Sequence, residues 1–316
     1  MSGEGNGPAG SLQKEAEEVR LRIERLTAES DATPSSAAAA PSSSAATTSS
    51  TTARDAEGPD QIRDLIARFF HLLETGTVRA AERVDGGWAP VRWVKEGILL
   101  AFRTGRTAPV EDETFPFFDR DTLPLRSIPG VQENIRVVPG GSAVRAGAYL
   151  GPNVVIMPPA YVNTGAWVGA GAMVDSHALV GSCAQVGDRV HLSAGAQLGG
   201  VLEPVGLRPV VVEEDAMIGG NAGVFEGIRI GRRAVVGSGV QLTASTPLVD
   251  LVRETVHRSR PGEPLSVPEG AVVVPGSRPA AGDFARDQGV HLYAPVIVKY
   301  RDEGTDAATA LEDSLR

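Results

Sequence analysis

Residues 138–198 read VPGGSAVRAGAYLGPNVVIMPPAYVNTGAWVGAGAMVDSHALVGSCAQVGDRVHLSAGAQL, and this stretch decides the fold. Val138, Val144, Leu150, Ile156, Val162, Val168, Val174, Val180, Val186, Leu192 and Leu198 stand six apart without a miss. Glycines such as Gly147, Gly165, Gly171 and Gly195 fill much of the space between. An amphipathic helix repeats near 3.6 residues and a half-buried strand at 2, so neither produces a period of six. A hexapeptide period marks a β-helix in which each hexapeptide makes one face and about three of them close a turn. The aliphatic residue points into a narrow core, and glycine and other turn formers take the sharp corners. After a slip of two residues the register resumes at Val212, Ile218, Val224, Ile230, Val236, Leu242 and Leu248.

The flanks are different. Residues 1–10 have no pattern and predict disorder. In residues 11–30, Leu12, Ala16, Val19, Ile23 and Leu26 form a heptad seam, which predicts a short amphipathic helix over 11–27. That seam reads equally as a transient helix or as an oligomerisation surface. Residues 31–58 are mostly Ala, Ser, Thr and Pro with no large apolar residues to offset ordering, the composition of a flexible linker. Residues 1–58 are therefore expected to form a disordered extension.

Residues 59–134 are expected to form a helical N-terminal domain and its connector. Ile62, Leu65, Ile66, Phe69, Leu72 and Leu73 make one helix face, begun at Pro59 and stopped at Gly76. Further helices are predicted over Val78–Val84 and Val91–Phe102. Residues 108–134 read as irregular, with the aromatics of FPFFD packing the domain onto the coil. The β-helix should run over 135–278. Two excursions interrupt it, one within GGVLEPVGLRPVVV and one after Leu248, and Val267 and Val273 supply its last faces. Residues 279–316 then form a short extension, with HLYAPVIVKY as a hairpin arm and DAATALEDSLR as a closing helix. The expected class is mainly β: a left-handed parallel β-helix with a small helical N-terminal domain and a short strand and helix extension.

Composition bounds the function. The 316 residues carry a net charge of -9, which argues against nucleic acid or an anionic membrane surface as partner. No apolar run has the length of a membrane-spanning helix, and MSGEGNGPAG lacks the plan of a signal peptide. The single cysteine, Cys183, fits a reducing compartment, so a cytoplasmic location is expected. A zinc site would need about three convergent histidines. Of the five present, only His177 and His191 lie in the regular coil, out of phase with each other, so no metal is expected. Phosphate-loop, dinucleotide-binding and nucleophile-elbow signatures are missing.

The residues that the period does not require are the candidates for chemistry. Asp175 follows the inward Val174, and Glu226 sits in GGNAGVFEG. A carboxylate beside glycine-rich corners can take a proton from an attacking amine, and exposed backbone N–H groups can hold a thioester oxyanion. Asp is also an ordinary corner residue, and His191 reads either as a corner residue or as a substrate contact. Cys183 reads as a small filler without a partner base.

The run MVDSHALVGSCAQVGDRVHLSAGAQLGGVLEP resembles the tetrahydrodipicolinate N-succinyltransferases. The likeness extends to HLLETGTVRAAERVDGGWAPVRWVKEGILLAFR, IRVVPGGSAVRAGAYL, VPEGAVVVPGSRP and HLYAPVIVKY, about residues 60–300 in all. It implies a homotrimer of left-handed β-helices with sites between subunits. It implies succinyl-CoA as co-substrate and a dicarboxylate amino acceptor, ring-opened tetrahydrodipicolinate. Asp175 matches the family's essential acidic residue, and Glu226 is the second catalytic candidate. Arg136 matches a carboxylate-gripping arginine. Arg145, His177, His191 and Ser193 complete the expected substrate contacts. Gly219, Gly220, Ser238 and Gly239 are the expected acyl-CoA contacts. Two positions depart from the family pattern: Gly223 where many members have glutamate, and His177 where many have tryptophan. A related acyltransferase with acetyl-CoA or another amino-acid-like acceptor, or a non-catalytic scaffold, are the competing readings.

Overall fold

The computed structural model describes residues 8–32, 57–110 and 116–302. Most of the expected linker, the expected disorder of residues 1–7 and the closing helix over 306–316 lie outside the described residues. Among the described residues no helix is long and apolar enough to cross a membrane.

Three parallel sheets wind as a three-sided coil, a left-handed parallel β-helix. The first face contains Val155–Ile156, Met173–Val174, His191–Leu192, Met217–Ile218 and Val235–Val236. The second contains Tyr161–Val162, Leu179–Val180, Gln197–Leu198, Gly223–Val224 and Gln241–Leu242. The third contains Tyr149–Leu150, Trp167–Val168, Gln185–Val186, Val211–Val212 and Arg229–Ile230. Each two-residue strand sets one side chain outward and the aliphatic one inward, fully buried. Successive coils are therefore stacked at the strand spacing of about 4.8 Å.

A second inward column lies two residues before each aliphatic one. Ala148, Ala160, Ala166, Ala172, Ala178, Ala184, Ala196, Ala216, Ala222 and Ala234 occupy it, all buried. Val154, Val190, Val210, Ile228 and Val240 fill further places of this column, also buried. The corners themselves place their third residue in the left-handed region, including Asn153, His177, Cys183, Arg189, Asp215, Asn221 and Arg233. That conformation costs non-glycine residues about 1–2 kcal/mol each, so the coil's hydrogen bonds and core must hold it.

Counting by six misplaces both ends of the register. Val137, not Val138, stands opposite Ile156, so the corner before Val144 is one residue longer than the others. Leu248 keeps phase only by coincidence: it belongs to the strand Leu248–Asp250, which pairs antiparallel with Thr255–His257 inside the second excursion. The first excursion is also larger than its slip of two suggests. Leu198 and Val212 are successive inward residues, so all of residues 199–210 form one connection. Both excursions leave from the same edge, between the second and third faces.

Three helices build the N-terminal domain: α1 (Pro8–Ala32), α2 (Pro59–Glu74) and α3 (Arg92–Thr104). The heptad seam of α1 packs inside this domain. Ala16, Val19 and Ile23 are buried with Phe69 and Ile98 of α2 and α3. Gly97 allows this approach, because a Cβ there would lie 2.9 Å from Phe69 and 3.0 Å from Ile23. Arg68 ties α2 back to Glu15 and Glu18.

Two expectations for this domain fail. Ala81–Val84 pairs with Gly87–Pro90 as a hairpin, where a helix was expected over Val78–Val84, because Asp85-Gly86 turns the chain. Thr107–Val110 and Phe117–Arg120 form a second hairpin. Phe117 and Phe118 are exposed there, so they do not pack the domain onto the coil. Other groups do that, on the third face. Arg79 lies over the rings of Trp88 and Trp167, and Trp88 donates to Glu213. The Glu74 carboxylate accepts from the Gly147 N–H. Buried Lys95 donates to the Leu207 carbonyl, pinning the first excursion.

At the C-terminal end, HLYAPVIVKY divides into two strands. His291–Tyr293 pairs with Ser277–Pro279, and Val296–Tyr300 pairs antiparallel with Ala271–Val274 on the first face. Asp250 joins the second excursion to this end. Its buried carboxylate accepts from the Tyr300 hydroxyl at 2.7 Å and from the N–H groups of Val252 and Arg253, and His257 lies 3.3 Å away. Burial pushes the Asp250 pKa up, but the bonds from Tyr300, Arg253, His257 and Val252 outweigh it and hold it below the usual value. A carboxyl depressed on folding contributes stability at pH values above its unfolded pKa, and the contribution is lost as pH falls through the folded value. Acid titration of Asp250→Asn should therefore show a smaller loss of stability below about pH 4 than the parent. Near neutral pH the variant should be less stable by about 2 kcal/mol. Urea unfolding at both pH values measures this.

Candidate functional site

The edge between the first and second faces lies opposite the face covered by the helical domain. Its corners are short and regular: MPPA at 157–160, DSHA at 175–178, SAGA at 193–196, GGNA at 219–222 and GSGV at 237–240. In these five corners Asp175 is the one charged residue and His177 the one other titratable group. The edge between the third and first faces is the reverse, carrying Asp188, Arg189, Glu213, Glu214, Asp215, Arg232 and Arg233. Those charges pair among themselves and with the helical domain, as in Arg189–Asp215 and Arg83–Glu214.

The neutral edge gathers most of the sequence candidates. Asp175, Ser193 and Gly219 hold the first corner position in three successive coils, linked by Asp175 N–H to Leu192 and Ser193 N–H to Ile218. Gly220 and Ser238 hold the second position. His177 and Gly239 hold the third, both with positive φ. His191 stands just before this edge, on the outward side of the first face between Met173 and Met217. Arg136 is in the same outward column, three strands away, or about 14 Å.

Two candidates are not brought there. Arg145 lies at the edge between the second and third faces. Its guanidinium contacts Asp119 at 2.8 Å, the Leu123 carbonyl and the Tyr161 hydroxyl, which occupies it in holding the connector. Glu226 lies on that same edge, and its carboxylate accepts from the Ala244 N–H. Within one chain, therefore, Asp175 and Glu226 do not meet.

Hydrogen bonding separates the expected acyl-CoA contacts. The N–H groups of Gly219 and Gly239 are used inside the coil, by Val236 and Gly220. Those of Gly220 and Ser238 have no acceptor among the described residues, and neither has that of Ala194, one coil before Gly220. Three donors thus stack along the edge at the second corner position, next to Asp175 and Ser193. Ala194 was not singled out by the sequence; sharing a corner position with Gly220 and Ser238 is the signal that would have found it. Asp175 uses one carboxylate oxygen to accept from the Ser176 N–H at 2.7 Å, which orients it. The Asn221 carboxamide oxygen lies over Gly195, 2.4 Å from where a Cβ there would stand.

Gly223 is not a vacancy. A Cβ there would meet the Phe225 ring and the Gln241 carboxamide, so neighbouring side chains already fill the place of a glutamate. Cys183 is buried, and burial pushes its thiol up to about 12, which makes it inert. Among the described residues no group of three or more His, Cys, Asp or Glu is placed to hold a metal.

Family comparisons agree along the chain. The description "Tetrahydrodipicolinate N-succinyltransferase N-terminal" matches residues 45–104, and "Hexapeptide repeat of succinyl-transferase" matches 209–244. A 2,3,4,5-tetrahydropyridine-2,6-dicarboxylate N-succinyltransferase of Acinetobacter baylyi is 39% identical over 264 residues, covering 83% of this chain and 92% of the relative. One from Aromatoleum aromaticum is 43% identical over 264 residues, covering 82% and 91%. One from Acinetobacter baumannii is 41% identical, covering 83% and 92%. With identity of this level over most of both chains, this chain belongs to the 2,3,4,5-tetrahydropyridine-2,6-dicarboxylate N-succinyltransferase family.

Proposed function

We propose that the chain transfers a succinyl group from succinyl-CoA to the amino group of ring-opened tetrahydrodipicolinate. The observation that carries this reading is a lone carboxylate, Asp175, beside a ladder of free backbone donors on an otherwise uncharged edge. The amine nitrogen attacks the thioester carbonyl carbon, and Asp175 takes the proton that the nitrogen loses. The C–S bond then breaks, and the CoA thiolate leaves and is protonated. The N–H groups of Ala194, Gly220 and Ser238 offer donors to the thioester oxygen and to the amides of the CoA arm. Arg136 suits a substrate carboxylate, which its planar guanidinium can grip at two points. His177, His191 and Ser193 line the space between.

A single edge is an open surface, so the reading includes a homotrimer in which a neighbouring copy supplies the facing wall. No resident metal or cofactor is part of it. The test is a thiol-release assay with succinyl-, acetyl- and longer acyl-CoA donors and the diaminopimelate-pathway acceptor. Succinyl-CoA should turn over fastest. Absence of CoA release with succinyl-CoA and this acceptor sinks the reading, and preference for acetyl-CoA reassigns the donor.

A further inference from the structure

The three residues Phe225, Glu226 and Gly227 form one corner between the second and third faces, and each touches an excursion of the chain. The Phe225 ring lies against Gly199, where the first excursion begins: a Cβ on Gly199 would stand 2.8 Å from it. Gly227, with φ +72°, lies under the Arg208 carbonyl near the end of the same excursion, 2.6 Å from where its own Cβ would be. The Glu226 carboxylate accepts from the Ala244 N–H at 2.5 Å, at the start of the second excursion. One corner thus holds the first excursion at both ends and the second at its root.

The root of the second excursion is tied to the proposed site by a short path. The Thr243 hydroxyl bonds to those of Ser245 and Thr246, making a compact turn around Ala244. The strand Gln241–Leu242 precedes this turn. Gln241 donates its side-chain amide to the Asn221 carbonyl, and its own N–H goes to the Tyr293 hydroxyl. Ser238, one of the three free donors, is only three residues before Gln241. A two-residue strand has no slack, so a shift of the turn at Ala244 must be felt at Ser238 and Asn221.

We propose that Glu226 is a positioning residue: through Ala244 it fixes the root of the second excursion and thereby the acyl-donor contacts around Ser238. It is not the base. A carboxamide oxygen can accept from the Ala244 N–H as a carboxylate oxygen does, but it cannot take a proton at neutral pH. The effect on donor binding rests on the reading under Proposed function; the tether itself does not.

The experiment therefore has two readouts. Limited trypsin digestion follows cleavage at Arg253 and Arg258 in the second excursion, without substrate. Steady-state kinetics follows KM for succinyl-CoA and kcat. Glu226→Ala and Ala244→Pro, which removes the N–H, should each speed cleavage and raise donor KM about fivefold to tenfold, with kcat within about twofold. Their double variant should add nothing further, as expected for two ends of one contact. Glu226→Gln should restore both readouts. The tether is overturned if Glu226→Ala and Ala244→Pro are cleaved at the parental rate. The positioning role is overturned if Glu226→Gln loses kcat by about a hundredfold or more with its cleavage rate unchanged. A parent that releases no CoA refutes the functional reading, and the cleavage rates still decide the tether.

Discussion

Asp175→Asn is expected to lose about a thousandfold in kcat, within the range for removing a positioned acid–base group. The substitution is nearly isosteric. The Asn oxygen can still accept from the Ser176 N–H, so the corner should keep its shape and the variant should melt with the parent. What is lost is the one carboxylate on this edge. The nearest replacement by kind is His177, two residues on in the same corner, at the third position with φ 61°. A smaller loss, of about tenfold or less, together with a rate that follows a group titrating near the histidine range, would transfer the base role to His177. Donor KM should change little, because the stacked N–H donors of Ala194, Gly220 and Ser238 belong to the backbone. A large rise in donor KM with unchanged kcat would mean that Asp175 binds and does not react.

The largest loss of stability should follow Leu192→Ala, about 3–4 kcal/mol by analogy with buried leucines elsewhere. Leu192 is fully buried, in the middle of a core one aliphatic residue wide on each face. Its neighbours along the first face are Val174 and Ile218, directly above and below. The backbone that would have to move to fill the gap is bonded to both adjacent coils, through Ser193 to Ile218 and Asp175 to Leu192. Little collapse is available, so the cavity term adds to the lost transfer energy. Urea unfolding at fixed protein concentration should show the midpoint shift. A cost near 1 kcal/mol would show that the coil relaxes around the gap.

The fold was legible because each face of the coil needs the same thing, an aliphatic side chain at one fixed position, and Val144 to Leu198 supply it without a break. The limits of counting appear at Val138 and Leu248, which keep the period and lie outside the regular stack. Period measures spacing, and an excursion of the right length preserves it. The heptad seam of α1 was visible as an apolar stripe, but a stripe does not say what covers it; Phe69 and Ile98 do, across a gap in the chain of more than thirty residues. Residues 78–84 read as a helix, and the Asp85-Gly86 turn made 81–84 the first strand of a hairpin instead.

The site was legible in part. Asp175, Ser193, Gly219, Gly220, Ser238 and Gly239 share an edge because their places after the inward residue decide it, and those places are readable once the excursions are sized. Arg145 and Glu226 have equally suggestive neighbours in the sequence but follow strands of the second face, and so fall on a different edge of the same chain. Free N–H donors such as that of Ala194 leave no mark in side-chain identity, which is why they emerge only from hydrogen bonding.

A coil built from repeats carries no instruction to stop. Its last strands expose the same N–H and C=O row that the previous coil used, a template for adding more chain. Here the first face ends differently, because Val296–Tyr300 runs antiparallel to Ala271–Val274 and cannot seed another parallel coil. Tyr293 closes the matching place on the second face by taking the Gln241 N–H. The C-terminal strands therefore close the first face against a further parallel coil and cap one donor of the second.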